Sequence, residues 1–303
     1  MLFRSVSNAG AITAGARIGQ YAVAFKQRAI FLGQYVGAPS VWDWQQVRSG
    51  NAGCIGKRAV CDINGSLFFV GEDNFWTFDG ASVTPLADGV LRNWFVSNVN
   101  PDYKYKTTCS FDKTTNLVWV FYPSKNSTTL DSALVYHILS KRWGKVTTSI
   151  QSVLEYISPA ITIDGLDSFS ATIDGLPDIP FDSSYWLSGS RSLAVFNSSI
   201  QLQALVGSSA SSSMTTGNYG DDYTFSLLKR IKLRFATSPS SAQLTPYYKL
   251  NSGDTFSIGN TVTMDSGKFD FLQSARWHKA KIDFVGPVIV TDRKSTRLNS
   301  SHV

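Results

Sequence analysis

From Asp62 to Gly80 the chain reads Asp62-Ile63-Asn64-Gly65-Ser66-Leu67-Phe68-Phe69-Val70-Gly71-Glu72-Asp73-Asn74-Phe75-Trp76-Thr77-Phe78-Asp79-Gly80, short apolar runs cut by three turn signals. Asn64-Gly65 and Asp79-Gly80 supply the positive backbone dihedrals that tight hairpins need, and Glu72-Asp73-Asn74 offers a third reversal. The pattern predicts an antiparallel meander, with strands over Leu67 to Val70 and Phe75 to Phe78, roughly one blade of a propeller.

The pattern returns 50 residues on, where Leu117-Val118-Trp119-Val120 answers Leu67-Phe68-Phe69-Val70, and Asp62 and Asp112 each stand five residues before the leucine. Asp112 to Asn116 is then a turn, Leu117 to Tyr122 a strand, and Ala133 to Leu139 its return. A period of about 40 to 50 residues is the usual length of a four-stranded blade. Upstream, Arg28 to Leu32 and Ser40 to Trp44 read as two strands of a further unit.

Composition points the same way. Of 22 acidic residues only Glu72 and Glu155 are glutamates, so aspartate, a turn former, replaces the better helix former. One short helix is expected at Gly89 to Val99, capped by Asp88, with Val90, Leu91, Trp94, Phe95 and Val99 on one face, as a lid or connector. Trp42, Trp44, Trp76, Trp94, Trp119 and Trp143 suit the space between blades, or stacking on sugar rings.

From Ser158 to Ser184 the chain turns rich in Asp, Gly, Pro and Ser and carries Thr162-Ile163-Asp164-Gly165-Leu166 and Thr172-Ile173-Asp174-Gly175-Leu176, two copies ten residues apart. Asp164, Asp167, Asp174, Asp178 and Asp182 lack the spacing and closing glutamate of an EF-hand loop and read as turn formers. Beyond come Ser192 to Phe196, Ile200 to Val206, a Ser-rich loop from Gly207 to Ser213, Tyr223 to Ala236, Leu244 to Leu250 and Lys268 to Phe284. The expected organisation is all-β: propeller-like blades over 1–157, a linker over 158–185, and a second β region over 186–291, sandwich-like or further blades.

Residues 292–303 stand apart. Asp292-Arg293-Lys294-Ser295-Thr296-Arg297-Leu298-Asn299-Ser300-Ser301-His302 resembles the in-frame translation of a sequencing-library adapter, so it is set aside as an artefactual tail on a metagenomic fragment. Without its charged residues the formal charge falls from +6 to +4, and the case for a nucleic-acid-binding tail goes with it.

The chemistry-bearing residues are sparse. His137 and His278 are the histidines outside the tail, each within a strand pattern, which leaves little for a histidine metal site or a serine triad. Gly50-Asn51-Ala52-Gly53-Cys54-Ile55-Gly56-Lys57-Arg58 looks like a phosphate loop but has Arg58 where a Ser or Thr would hold magnesium. Cys54, Cys61 and Cys109 are odd in number and unpaired in spacing, which suits free thiols. No apolar run is long enough to span a membrane, and no secretory leader is indicated. No enzyme, catalytic residue, cofactor or metal is expected, although aspartates brought together from separate blades would leave no local motif.

The candidate contact surface is Arg230, Lys232 and Arg234. In Leu228-Lys229-Arg230-Ile231-Lys232-Leu233-Arg234-Phe235 the strand period puts these three cations on one face and Ile231, Leu233 and Phe235 on the other. Such a stripe can meet phosphates in a channel, or keep a strand edge from aggregating.

The succession of the GEDNFWTFDG meander, the LVWVFYPS strand, the ALVYHILSKRW return and the TIDGLDSFSATIDGLPDIPFDSSYWLSG linker resembles virion proteins of tailed phages, nearest the packaged-DNA stabilisation or tail-hub (nozzle) proteins of short-tailed phages. The resemblance covers about Ala22 to Pro287. It implies a β-propeller platform in the tail or head–tail connector, assembled in the host bacterial cytoplasm into the virion as a homo-oligomeric ring. Its implied partners are the portal, a tail adaptor and a tail needle or fibre, with non-specific DNA contact in the channel as DNA is retained and later ejected. The alternative is a carbohydrate-binding or glycan-hydrolysing propeller.

Overall fold

The structure is a computed structural model that describes residues 10–48, 50–157, 191–206 and 211–299, with isolated positions between 170 and 180, and side chains only as far as Thr291. The aspartates expected to form the linker turns, Asp164, Asp167, Asp174, Asp178 and Asp182, lie outside the described residues, as do residues 207–210 of the Ser-rich loop. The chain divides into two compact units, residues 1–206 and 207–303.

The first unit is a succession of antiparallel meanders. Strands β1 (Ile12–Ile18), β2 (Tyr21–Lys26), β3 (Ile30–Tyr35) and β4 (Trp42–Gln46) form one four-stranded sheet in sequence order. A second follows with β5 (Val60–Ile63), β6 (Ser66–Val70), β7 (Phe75–Phe78) and β8 (Val83–Pro85). The helix α1 (Gly89–Asn98) then leads to β9 (Thr108–Asp112), β10 (Leu117–Tyr122), β11 (Leu130–His137) and β12 (Arg142–Ile157), which continue through β13 (Arg191–Asn197) to β14 (Leu202–Ala204) in a single six-stranded sheet. The leading strands β1, β5 and β9 begin at Ile12, Val60 and Thr108, an even spacing of 48 residues within the usual blade period of about 40 to 50.

The turn chemistry explains the meanders. Asn64 and Gly65 have φ of 57° and 91°, the two-residue turn that joins Ile63 to Ser66. Asp62 faces Leu67 across one hairpin and Asp112 faces Leu117 across the next, so the repeated aspartate closes the same corner twice. Asp62 Oδ1 accepts from Gly65 N at 2.8 Å, and Asp112 Oδ1 accepts from Thr114 N at 2.9 Å. Asp79-Gly80 is instead part of a four-residue loop, where Asp79 Oδ1 accepts from Ala81 N and Ser82 N. Asp88 caps α1 by accepting from Leu91 N at 2.9 Å. Phe95 is buried beneath the helix, whereas Val90, expected on that face, is 81% exposed.

Burial shows how the sheets stack. One face of the first sheet, carrying Ala14, Ile18, Val23, Phe25 and Ile30, packs into a core with the second, where Phe25 and Phe69 rings stand 4.9 Å apart. The other face of the second sheet meets the third through Phe68, Phe75, Tyr136 and Trp143, with Phe75 to Trp143 at 4.7 Å and Tyr136 to Trp143 at 4.6 Å. The second sheet is therefore interior on both faces, and Leu67, Phe68, Phe69 and Val70 are all buried. A separate core of Phe121, Leu130, Ala133, Ile150 and Val195 lies on the far face of the third sheet.

Strand β12 is long because it serves twice. Up to Ile150 it is the outer strand of the third meander, paired with β11; after an irregularity between Ile150 and Ser152 it pairs with β13. Arg191–Asn197 and Leu202–Ala204 thus extend the first unit, where the sequence pattern had placed them in the second β region. Val195 and Leu205 join the core around Phe121 and Ile150, so burial holds them there. The result is three blade-like meanders and the start of a fourth.

The second unit is two sheets about one core. It contains β15 (Ser212–Thr215), β16 (Tyr219–Gly220), β17 (Ser226–Thr237), β18 (Ser241–Lys249), β19 (Ser257–Ile258), β20 (Val262–Thr263), β21 (Lys268–Ala275), β22 (Trp277–Val285) and β23 (Ile289–Asn299). One sheet runs β15-β22-β18-β19, with β16 and β20 paired to β22 and β18, and the other runs β21-β17-β23. Leu228, Ile231, Leu233 and Phe269 of the second meet Leu244, Ala280, Ile282 and Phe284 of the first, a sandwich-like arrangement. The adapter-like residues are not inert here: the backbone of β23 pairs with β17 as far as Asn299. An open strand edge offers the same donors and acceptors to any extended segment, whatever its sequence.

Candidate functional site

The leading strands of the first unit line one groove of about 500 Å³. Gly15, Ala16 and Arg17 come from β1, Val60, Cys61 and Asp62 from β5, Thr108, Cys109 and Ser110 from β9, and Ser152 to Glu155 from the second half of β12. Each blade-like sheet thus gives its first strand to a common centre, the arrangement in which propeller blades surround an axis. Lys57 and Arg58, just before β5, and Leu67 of β6 complete the lining.

The groove carries both charges. Arg17, Lys57 and Arg58 are exposed, as are Asp62 and Glu155. Arg17 is aimed by its own turn, its Nε donating to Gly19 O at 2.7 Å. Arg58 is fixed through its backbone, whose carbonyl accepts from Cys109 N at 2.8 Å and so ties the loop to β9. The glycines that make this loop look like a phosphate cradle have another cause. A side chain at Gly53 would meet the backbone of Lys26 and Gln27 at 2.3 Å, and one at Gly56 would meet Tyr105 O at 2.2 Å. They are glycines because neighbouring chain passes over them.

The three thiols lie together here and are chemically quiet. Burial pushes Cys54 up to about 11; burial, with the charge of Asp62, pushes Cys61 up to about 12; and burial, with Cys61 and Cys54 beside it, holds Cys109 well above the ordinary thiol range. All three are free and stay protonated at neutral pH, so none is a ready nucleophile. Among the described residues no group of three or more His, Cys, Asp or Glu could hold a metal ion.

The histidines have structural neighbours. His137 Nδ1 accepts from Ser140 N at 3.1 Å and lies 2.8 Å from Ser140 Oγ, closing the turn before β12. His278 is buried, its Nε2 3.0 Å from Ser226 Oγ and 3.1 Å from Ser226 O, which links β22 to β17 across the sandwich. Asp222 binds Trp277 Nε1 and Ser252 N, both at 2.7 Å. The indole donor, then the serine, hold its carboxyl below the ordinary range.

The sequence-predicted stripe stands where the strand period puts it. Arg230, Lys232 and Arg234 are exposed on β17, with Ile231 and Leu233 buried behind them. The structure adds that the stripe is not uniform. Arg230 Nε is paired with Asp270 Oδ1 on β21, while Lys232 stands opposite Lys268. The cationic density is therefore greatest at Lys232. The strand is flanked on one side by β21 and, along the stripe, on the other by the adapter-like residues of β23. Arg17 escaped sequence reasoning because β1 is rich in Ala and Gly and gives no apolar run, and Lys57 and Arg58 were read only as the end of a loop that fails as a phosphate cradle. The even spacing of the leading strands is the signal that could have found them.

No protein-family model matches the chain, and no curated protein is similar to it. Among solved structures, one titled "Glycoside hydrolase" is similar at 8% identity and a TM-score of 0.24, over 93% of this chain and 83% of that one. A likeness of that size carries no argument about fold or chemistry.

Proposed function

We propose that this chain is a structural virion protein of a tailed phage, a tail or head–tail connector component that lines a path for DNA. The observation that supports the reading is the gathering of Arg17, Lys57 and Arg58 at the groove by the leading strand β1 and the loop before β5. Cations held by a rigid blade scaffold suit sequence-independent phosphate contact, whose affinity falls steeply with salt. Arg230, Lys232 and Arg234 offer a second such surface. The test is assembly: purified protein mixed with portal and tail proteins and imaged by electron microscopy should appear as added density on the axis. Protein that stays apart from both, and shows no salt-dependent DNA retention, would overturn the reading.

Asp62 and Glu155 in the same groove favour a second reading, a glycan-binding or glycan-hydrolysing site that works through paired carboxylates. Turnover of host-surface glycans, lost in Glu155→Gln, would establish it, and silence across a glycan array would remove it.

A further inference from the structure

The two outer faces of the sandwich in the second unit differ in chemistry. On β18 and β22 the inward positions are Ala242, Leu244, Ala280, Ile282 and Phe284, so the alternate residues of both strands point away from the core. Cross-strand register sets these outward residues in pairs, with Trp277 opposite Lys249, Lys279 opposite Tyr247 and Lys281 opposite Thr245. Ring and ammonium group thus exchange strands from the first pair to the second. Phe256, just before β19, adds a third ring. Lys249 Nζ stands 5.1 Å and Lys279 Nζ 5.6 Å from its centre, and Lys249 Nζ is also 5.6 Å from that of Trp277. The outward side of β17, by contrast, carries Arg230, Lys232 and Arg234 with no ring between them.

Two cations share the Phe256 ring without a counter-charge. Among the described residues neither Lys249 nor Lys279 forms an ion pair, and Lys249 Nζ donates instead to the carbonyl of Ser252. The carboxylates at the margin are engaged elsewhere: Asp283 holds Lys281 at 2.8 Å, and Asp222 accepts from Trp277 Nε1 and Ser252 N. Tyr247, Phe256 and Trp277 are half-buried, so the sheet fixes the rings while the long lysine stems leave the cations free to move. A dry protein neighbour would have to bury these ammonium groups without compensation, which is costly. An anionic partner supplies it.

We propose that the outer face of β18 and β22 binds single-stranded nucleic acid, its bases stacking on Trp277, Phe256 and Tyr247 and its phosphates lying against Lys249, Lys279 and Lys281. One ring per ammonium group matches a polymer with one flat base and one phosphate per residue. A duplex keeps its base faces within its own stack, so the rings select single strands. An acidic polysaccharide matches the charge, but its hydroxyls need acceptors, and the carboxylates beside the rings are already taken. The inference goes beyond the phosphate path of the first unit and does not rest on the virion reading.

The test is fluorescence anisotropy of the full chain with a labelled oligothymidine of about 12 nucleotides, within the usual site size of about 4 to 16. A duplex of the same length and polygalacturonate serve as competitors. At about 50 mM salt the single strand should bind at least about tenfold more tightly than the duplex, with a salt slope near about −2 for three phosphates at about −0.7 each. Lys279→Ala should lower that slope by about 0.7, and Phe256→Ala should weaken binding about 5- to 150-fold. Lys279→Glu, at a surface position outside the core, should remove binding while the thermal melt stays that of the parent. Lys232→Ala, on the other sheet, should leave single-strand binding as it is. No binding at that salt, equal affinity for the duplex, or displacement by polygalacturonate as readily as by unlabelled single strand overturns the proposal. So does binding that survives both Phe256→Ala and Lys279→Glu, or that is lost in Lys232→Ala.

Discussion

Strands β6 and β17 use the same geometry under opposite constraints. In β6 four consecutive residues, Leu67 to Val70, are buried, because a sheet lies on each side of it. In β17 burial alternates, Ile231 and Leu233 inward and Arg230, Lys232 and Arg234 outward, because its sheet has a partner on one side. A stack thus writes itself into sequence as unbroken apolar runs, and a two-layer sandwich as alternation. The difference also sets how damage spreads. A side chain lost from an inner blade loosens contacts with two neighbouring sheets, whereas one lost from the sandwich loosens one core.

The largest expected effect is therefore in the stack. Phe68→Ala removes the ring packed on Phe75, Tyr136 and Trp143 and should cost about 3–5 kcal/mol. Scanning calorimetry should show the first unit melting earlier while the second is unmoved, and a shared shift would break the distinction between them. Leu244→Ala, in the sandwich core, should cost about 2–5 kcal/mol and move the other transition.

What could be read from sequence follows the same division. The runs of β6, β7 and β10 and the turns at Asn64-Gly65 and Asp112 to Asn116 were legible because apolar burial and positive φ demand particular residues. Strand β10 was expected at its observed bounds, Leu117–Tyr122. The cationic stripe was legible from alternation alone. Strand β1 was not, since Ala14, Gly15 and Ala16 leave it without an apolar run. The second half of β12 was missed because its partner, β13, lies some 35 residues on, across a stretch whose composition suggested a boundary. The groove required knowing that strands one blade apart converge, which no local motif records.

Smaller effects sharpen the comparison. Asp88→Ala removes the acceptor for Leu91 N and should cost about 1 kcal/mol, felt only in the first unit. In the second unit, donors from Trp277 and Ser252 hold Asp222 below the usual carboxylate value of about 3.9. A carboxylate lowered on folding stabilises above its unfolded pKa, and the contribution disappears as pH falls through its folded pKa. Asp222→Asn should therefore lower the second transition at neutral pH, and the difference from the parent should shrink as the melts are carried to progressively more acid pH. The smallest effect is at Lys232, exposed on β17, where alanine should change stability by less than about 0.5 kcal/mol. If the stripe meets phosphates, the same variant should lower the salt slope of DNA retention by about one.

One residue resets the period of the strand that leads into the last blade. Before the irregularity in β12, Val146 and Ile150, even-numbered, face the core around Phe121; after it Val153, odd-numbered, does so. The extra position at Gln151 acts as a phase-shifter within a single strand. Its deletion would set Ser152 directly after Ile150, opposite Phe196 and Asn197, and restore simple alternation with Val153 and Val195 still facing the core. The strand's break in period is in that sense written at Gln151, in count rather than in chemistry.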